Sequence, residues 1–166
     1  MSDTDTNAPI TELRIPVRLT YTVTAGRDTS AFLQSIMERR IVGRRSVITG
    51  KVYVPPKGAC PESGGPCDEF VEVAQTGTLT TYCVVNIPFE GQALTPPYVC
   101  ASVVLDGADV PLFHLVNAPP EGVRMGMRVR AVWRDDEHME PTLESIEYFE
   151  PTGEPDAPYD TYKDHL

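Results

Sequence analysis

No run of eighteen apolar residues occurs anywhere in the 166 positions of this chain, and its opening, MSDTDTNAPITE, has neither a basic stretch nor an apolar core. These absences predict a soluble, cytoplasmic protein with no membrane association. Cysteine is scarce too: Cys60, Cys67, Cys83 and Cys100 are too few and too unevenly spaced for a disulfide framework, so they are expected to be reduced. A basic excess is also missing. The net charge is −10; residues 1–134 balance 13 acids against 13 bases, and residues 135–166 hold eleven acids and one base, Lys163. A neutral body with an acidic end repels phosphate backbones, so nucleic acid is excluded as a partner, including the single strands that some small β-barrels bind.

Catalytic signatures are lacking as well. There is no G-x-S-x-G elbow, phosphate-binding glycine loop, H-E-x-x-H or C-x-x-C. His114 lies in the apolar run PLFHLV and reads as a core or interface histidine, while His138 and His165 lie in acidic, solvated segments. Cys83 and Cys100 fall in strand-like runs and read as small buried hydrophobes. The pairs Asp68-Glu69 and Asp135-Asp136 stand where strands end, and read as solvated charge rather than an acid/base dyad.

A hydrophobic content of 41% is enough for one sizeable core and a small appended module. Between Glu12 and Thr24 the odd positions Leu13, Ile15, Val17, Leu19, Tyr21 and Val23 are apolar, a period of two that predicts a strand with one buried face. Asp28, Thr29 and Ser30 offer caps to a short helix with Phe32, Leu33, Ile36 and Met37 on one side, and Gly43 ends that segment. Residues 45–54 alternate about Thr49-Gly50 as a hairpin, which Pro55-Pro56 closes, and GACPESGGPC at 58–67 makes a compact loop. Strand-like runs follow at 70–74, 78–87, 98–105, 110–116, 127–133 and 145–149, with a turn at Asp106–Asp109. No helical pattern intervenes, so a small antiparallel barrel of the OB type is expected. Val103, Leu105 and Val110 to Phe113 should lie partly in its core. The ending PTGEPDAPYDTYKDHL predicts an extended acidic tail.

The helix followed by VGRRSVITGKVYVPP, GACPESGGPC, TGTLTTYCVV, PPYVCASVVLDGA and VRMGMRVRAVW resembles the zinc-ribbon/OB-fold family known as domain of unknown function 35. The likeness is strongest to a branch that ends in segments like SIEYFEPTGEPDAP and accompanies sterol-carrier-protein-type thiolases. It implies an N-terminal strand and helix at 1–42, a degenerate rubredoxin-like ribbon at 43–68, an OB-fold at 69–150 and an acidic tail at 151–166. Ribbons of this family carry four zinc-binding cysteines. The matching positions here are Ser46, Thr49, Cys60 and Ser63, and Cys67 adds at most one more sulfur, so no zinc or other cofactor is expected.

The resemblance further implies a non-catalytic accessory subunit of a thiolase-fold enzyme, an aldolase or thiolase acting on steroid or fatty acyl-CoA. An acyl-CoA hydratase is a further possible partner. The alternative is a free-standing acyl-CoA carrier. Arg39, Arg40, Arg44, Arg45 and Lys51, with Lys57 nearby, are the candidate contacts for coenzyme A phosphates or an acidic partner surface. Tyr148, Phe149, Tyr159 and Tyr162 are the candidate aromatic anchors for a partner.

Overall fold

The computed structural model describes residues 9–13, 15 and 19–166. Helix α1, Arg27–Met37, starts from Gly26 with no side-chain cap. Asp28, one of the expected caps, instead reaches across to Arg44 at 2.7 Å. Phe32, Ser35 and Ile36 are buried, whereas Met37 is 44% exposed. The helix does not run on to Gly43. Arg39 turns the chain with a φ of 54°, and the N–H groups of Glu38, Arg39 and Arg40 donate back to the carbonyls of Ser35 and Ile36.

Strands β1 (Ile41–Ser46), β2 (Val52–Tyr53) and β3 (Cys67–Val73) form an antiparallel sheet in the order β2-β1-β3. Gly43 lies inside β1. A Cβ there would stand 2.7 Å from the Tyr53 carbonyl oxygen and 2.8 Å from Val52 Cγ1, so the glycine permits the close approach of β2. The hairpin turns at Thr49-Gly50 as expected, with Gly50 N–H donating to Ser46 O at 2.9 Å.

Strands β4 (Thr76–Val85), β5 (Tyr98–Leu105), β6 (Leu112–Val116), β7 (Arg128–Trp133) and β8 (Ile146–Pro151) close a barrel in the order β4-β5-β6-β8-β7. The expectation of a wholly antiparallel sheet fails at one seam, because five strands around a ring cannot all alternate in direction. The parallel pair is β6 with β8, at Val116 and Phe149. Along β5 the burial alternates without a break: Val99, Ala101, Val103 and Leu105 are 1% exposed or less and face Leu79, Val129, Ile146 and Phe149 in the core. On β6 Leu112 points inward, but Phe113 is 60% exposed, contrary to its expected place in the core.

The turn at 106–109 is present and does more than reverse the chain. Asp106 accepts from Thr76 Oγ1 at 2.6 Å and from Arg128 Nη1 at 2.8 Å, and these partners hold its carboxyl below the usual carboxylate range. Asp109 accepts from the Val52 N–H at 2.7 Å and donates its own N–H to Val52 O at 2.9 Å, tying the barrel to β2.

The expected strand at the start of the chain does not form among the described residues, and the extended tail at its end is seated on the barrel. Among the described residues no strand forms in the first 26 positions, and Leu13, Ile15, Leu19, Tyr21 and Val23 are 68–79% exposed; Val17 lies outside the described residues. A period of two marks a segment able to pair as a strand, yet the barrel closes without it and the segment's described residues pair with neither edge of the three-stranded sheet. At the other end, the tail is clasped to its own barrel. Ala157 N–H donates to Gly126 O at 2.8 Å, Arg124 holds Asp156 through Nε and Nη2 at 2.5 and 2.7 Å, and Tyr162 is only 7% exposed. Gly126, at a φ of 88°, leaves room for this: a Cβ would meet Ala157 O at 3.0 Å. Truncation after Glu150 is therefore expected to lower the thermal midpoint, since burying a large apolar side chain such as Tyr162 contributes about 1.5–3 kcal/mol. An unchanged midpoint in differential scanning calorimetry would show the clasp to contribute nothing.

Candidate functional site

Of the cations proposed to meet coenzyme A phosphates, Arg39, Arg40, Arg44, Arg45 and Lys51 already have acidic neighbours, and Lys57 has none among the described residues. Arg39 pairs with Asp136 at 2.7 Å, Arg40 with Glu72 at 3.1 Å and with Glu38, Arg45 with Glu69 at 2.9 Å, and Lys51 with Glu62 at 2.5 Å. Arg44, unlike the others, is buried, at 9% exposure, between Asp28 and the Phe70 ring, whose centroid is 5.0 Å from its guanidinium carbon. A ligand phosphate would have to displace these carboxylates, so the cluster is a laced surface and not an open anion site. Exposed pairs of this kind contribute little stability individually, about 0–1 kcal/mol.

The acidic end of the chain is likewise partly spent at home. Asp136, Glu144, Glu150, Glu154 and Asp156 pair with Arg39, Arg134, Arg130, Arg128 and Arg124. Asp160 pairs with Lys163, while Asp135, Glu137, Glu140, Glu147 and Asp164 form no ion pair among the described residues, so the acidic excess is only partly met at home.

The four ribbon positions do come together. The loop 58–67 folds back as a miniature hairpin, with Cys60 N–H donating to Gly65 O at 2.8 Å and Cys67 N–H to Gly58 O at 3.0 Å. This brings Cys60, 1% exposed, beneath the β1–β2 turn, with Thr49 Oγ1 3.8 Å and the Tyr53 hydroxyl 3.2 Å from its sulfur. Hydrogen bonds from Ser46, Ser63 and Tyr53 outweigh burial and hold the Cys60 thiol down to about 5. The same contact pushes Tyr53 up to about 12, while burial pushes the Cys67 thiol up. Hydroxyls thus surround the Cys60 sulfur at the positions where the resemblance implies further zinc-binding thiolates. The donor set does not fit zinc: among the described residues no group of three or more His, Cys, Asp or Glu side chains could hold a metal ion. Tyr53, which the sequence reading missed, is the residue that completes this cage; its signal was a tyrosine in a two-residue strand next to the ribbon hairpin.

A group whose acidity is raised on folding contributes stability above its unfolded pKa, about 8.5 for cysteine, that is lost as pH falls through its folded value. For Cys60 the window runs from about 8.5 down to about 5. Tyr53→Phe removes one donor. The expected result is a smaller rise in thermal midpoint between pH 5 and 8 than in the wild type, and a thiolate absorbance that appears at higher pH. Identical pH profiles would mean that the Tyr53 hydroxyl does not hold the anion.

The proposed aromatic anchors divide. Phe149 is fully buried in the barrel core, with the His114 ring edge-on at 5.7 Å, and Tyr162 is buried where the tail packs against Gly126 of the barrel, so neither is available to a partner. Tyr148 is half-buried, and Tyr159 is 57% exposed. The exposed apolar side chains of the barrel lie elsewhere: Ile87 at 78% and Phe89 at 65% on the loop between β4 and β5, Leu94 at 42% on the same loop, and Phe113 on β6. Gln92 pins this loop, accepting from Phe89 N–H at 3.2 Å and donating to the Tyr98 hydroxyl at 2.9 Å. Leu94, Tyr98, Cys100, Phe113 and His114 line a cavity of about 450 Å³ there. The signal for this face was present in the sequence as apolar residues, Ile87 and Phe89, flanking Pro88 in a stretch whose turn chemistry puts it on the surface. Val47 and Ile48, at the tip of the β1–β2 hairpin, are 58% and 64% exposed and form a second apolar point.

Among the described residues no catalytic pair is assembled at this cavity. His114 Nδ1 is buried without a partner, and burial lowers its pKa. His138 is exposed as expected, whereas His165 is half-buried under the tail.

Comparison with known proteins places these features in a family. Residues 70–134 match the model described as ChsH2, C-terminal OB-fold domain. A DUF35 domain-containing scaffold protein of Methanocaldococcus jannaschii is 34% identical over 57% of this chain and 67% of its own length. A scaffold protein of the same description from Pyrococcus furiosus is 30% identical over 57% of this chain and 69% of its own. A probable enoyl-CoA hydratase alpha subunit of Thermomonospora curvata is 31% identical over 107 residues, but this chain spans only 33% of its length. Among solved structures, a chain of the Ltp2-ChsH2(DUF35) aldolase superposes with a TM-score of 0.58 at 27% identity, covering 78% of this chain and 98% of that one. A DUF35 protein of unknown function from Sulfolobus solfataricus shares the fold, with a TM-score of 0.54 at 17% identity over 64% of this chain and 78% of its own. The OB order of the barrel, the three-stranded sheet before it and these matches lead to one conclusion: the chain belongs to the DUF35 family.

Proposed function

We propose that this chain is a non-catalytic accessory subunit of a thiolase-fold enzyme that cleaves an acyl-CoA, stabilising that enzyme and forming part of its working assembly. The observation that carries the reading is the likeness, over 98% of its length, to a chain of the Ltp2-ChsH2(DUF35) aldolase. The scaffold description of the archaeal relatives supports a binding role, and the hydratase name of the Thermomonospora relative keeps an acyl-CoA hydratase as a second possible member of the assembly. The exposed apolar side chains suited to docking are Ile87, Phe89 and Leu94 on the β4–β5 loop and Phe113 on β6, Leu94 and Phe113 lining one cavity, with Val47 and Ile48 at the hairpin tip. The carrier alternative draws no support from the arginine cluster, whose charges are already paired.

The test is co-expression with a thiolase-fold acyl-CoA enzyme from the same genome. Raised solubility of the enzyme and faster acyl-CoA cleavage are expected; unchanged solubility and activity would end the accessory-subunit reading. Elemental analysis of the purified chain is expected to find less than stoichiometric zinc, and one zinc per chain would contradict the hydroxyl-cage account of the knuckle.

A further inference from the structure

The strand register sets Cys83 of β4 directly opposite Cys100 of β5, between the pairs Tyr82–Ala101 and Val84–Val99. Because Ala101 and Val99 fill the core, Cys100 stands on the outside of the barrel, half-buried, and Cys83 is exposed; both are free thiols. They are not the small core hydrophobes that their strand context suggested. We propose that Cys83 and Cys100 form a redox-active dithiol on the barrel surface, which a low-molecular-weight disulfide converts into a cross-strand disulfide.

The geometry supports this in three ways. Directly opposed residues of an antiparallel pair hold their Cβ atoms about 4.5–5.5 Å apart. A disulfide requires about 3.5–4.5 Å, so a small local closure suffices. The two thiols also sense each other: after burial, the neighbouring Cys83 is the next cause that raises the Cys100 thiol. Their surroundings differ from those of Cys60 and Cys67, each 1% exposed and enclosed with Tyr53 in the knuckle.

Exposure sets the order of events. The Cys83 thiolate attacks a sulfur of the small disulfide, forming a mixed disulfide and releasing one small thiolate. The Cys100 thiolate then attacks Cys83 Sγ, forming the protein disulfide and releasing the second small thiol. Two protein thiols are oxidised and one small disulfide is reduced to two thiols, so the exchange balances. The bond would link β4 and β5 just before the loop that carries Ile87 and Phe89, and beside the cavity that Cys100 lines. The proposal rests on the register and exposure of the pair and is independent of the assigned partner.

The experiment treats the native full-length chain with glutathione disulfide, blocks remaining thiols, and maps peptides by mass. The expected result is a Cys83–Cys100 linked peptide, two hydrogens lighter than the reduced pair, with Cys60 and Cys67 blocked only after unfolding. In Cys100→Ser, glutathione should remain attached to Cys83. Persistent glutathione on Cys83 in the wild type, or two thiols that stay free, would overturn the proposal. So would a wild type and a Cys100→Ser variant that give the same products.

Discussion

Val103→Asp is expected to unfold the barrel. Val103 is fully buried on β5, opposite Leu79 and Leu112 in the two flanking strands, and it belongs to the main core cluster. A carboxylate placed there has no partner, and a buried unpaired charge costs about 3–5 kcal/mol on top of the lost packing. Domains of this size have only about 5–15 kcal/mol of stability to lose. Urea denaturation followed by circular dichroism should show loss of the cooperative transition or a midpoint moved far to lower urea. The contrasting substitution one position along the strand, Val104→Asp, points outward and should cost much less. Equal behaviour of the two variants would contradict the inward–outward alternation.

The second large effect concerns binding rather than folding. Phe89→Asp together with Phe113→Asp places two charges among the exposed apolar side chains and leaves the core untouched. Residues at the centre of such a surface account for most of the binding energy, with single losses of about 2–4 kcal/mol or more. The paired variant should keep the wild-type thermal midpoint and lose at least tenfold in affinity for the partner, as read by calorimetric titration. Retained affinity would move the docking surface elsewhere, the Val47-Ile48 tip being next.

Much of the fold was legible because the physics involved is local. The strand at 98–105 stands where its apolar run suggested, and Val103 and Leu105 lie in the core as expected, although Cys100 faces outward. The hairpin at Thr49-Gly50 and the turn at Asp106–Asp109 were marked by their own turn chemistry. What was not legible depended on contacts distant in sequence. Nothing local in residues 12–24 reveals whether a sheet edge will take them up. The composition of the tail suggested an extended end, but the positive-φ Gly126 and the Arg124 fork that seat it lie about thirty residues upstream.

The candidate site divides along the same line. The absent zinc ligands could be read position by position, whereas the Tyr53 hydroxyl on Cys60 required the folded hairpin. Arg39, Arg40, Arg44, Arg45 and Lys51 looked like free charge because their acidic partners come from other segments, among them Asp28, Glu62, Glu72 and Asp136. Phe149 looked like an anchor because it stands near an acidic end, although its strand closes the barrel. Cys83 and Cys100 each looked unremarkable alone, and only the register makes them a pair.

The central claim is that this chain works by binding an acyl-CoA enzyme and not by binding acyl-CoA itself. The most direct measurement is size-exclusion chromatography with light scattering on the purified chain mixed with a thiolase-fold acyl-CoA enzyme of the same genome, run beside a titration of the isolated chain with a long-chain acyl-CoA. The account predicts a single co-eluting complex of fixed stoichiometry and no saturable acyl-CoA binding by the chain alone. Separate elution of the two proteins, with tight binding of acyl-CoA by the isolated chain, would contradict it.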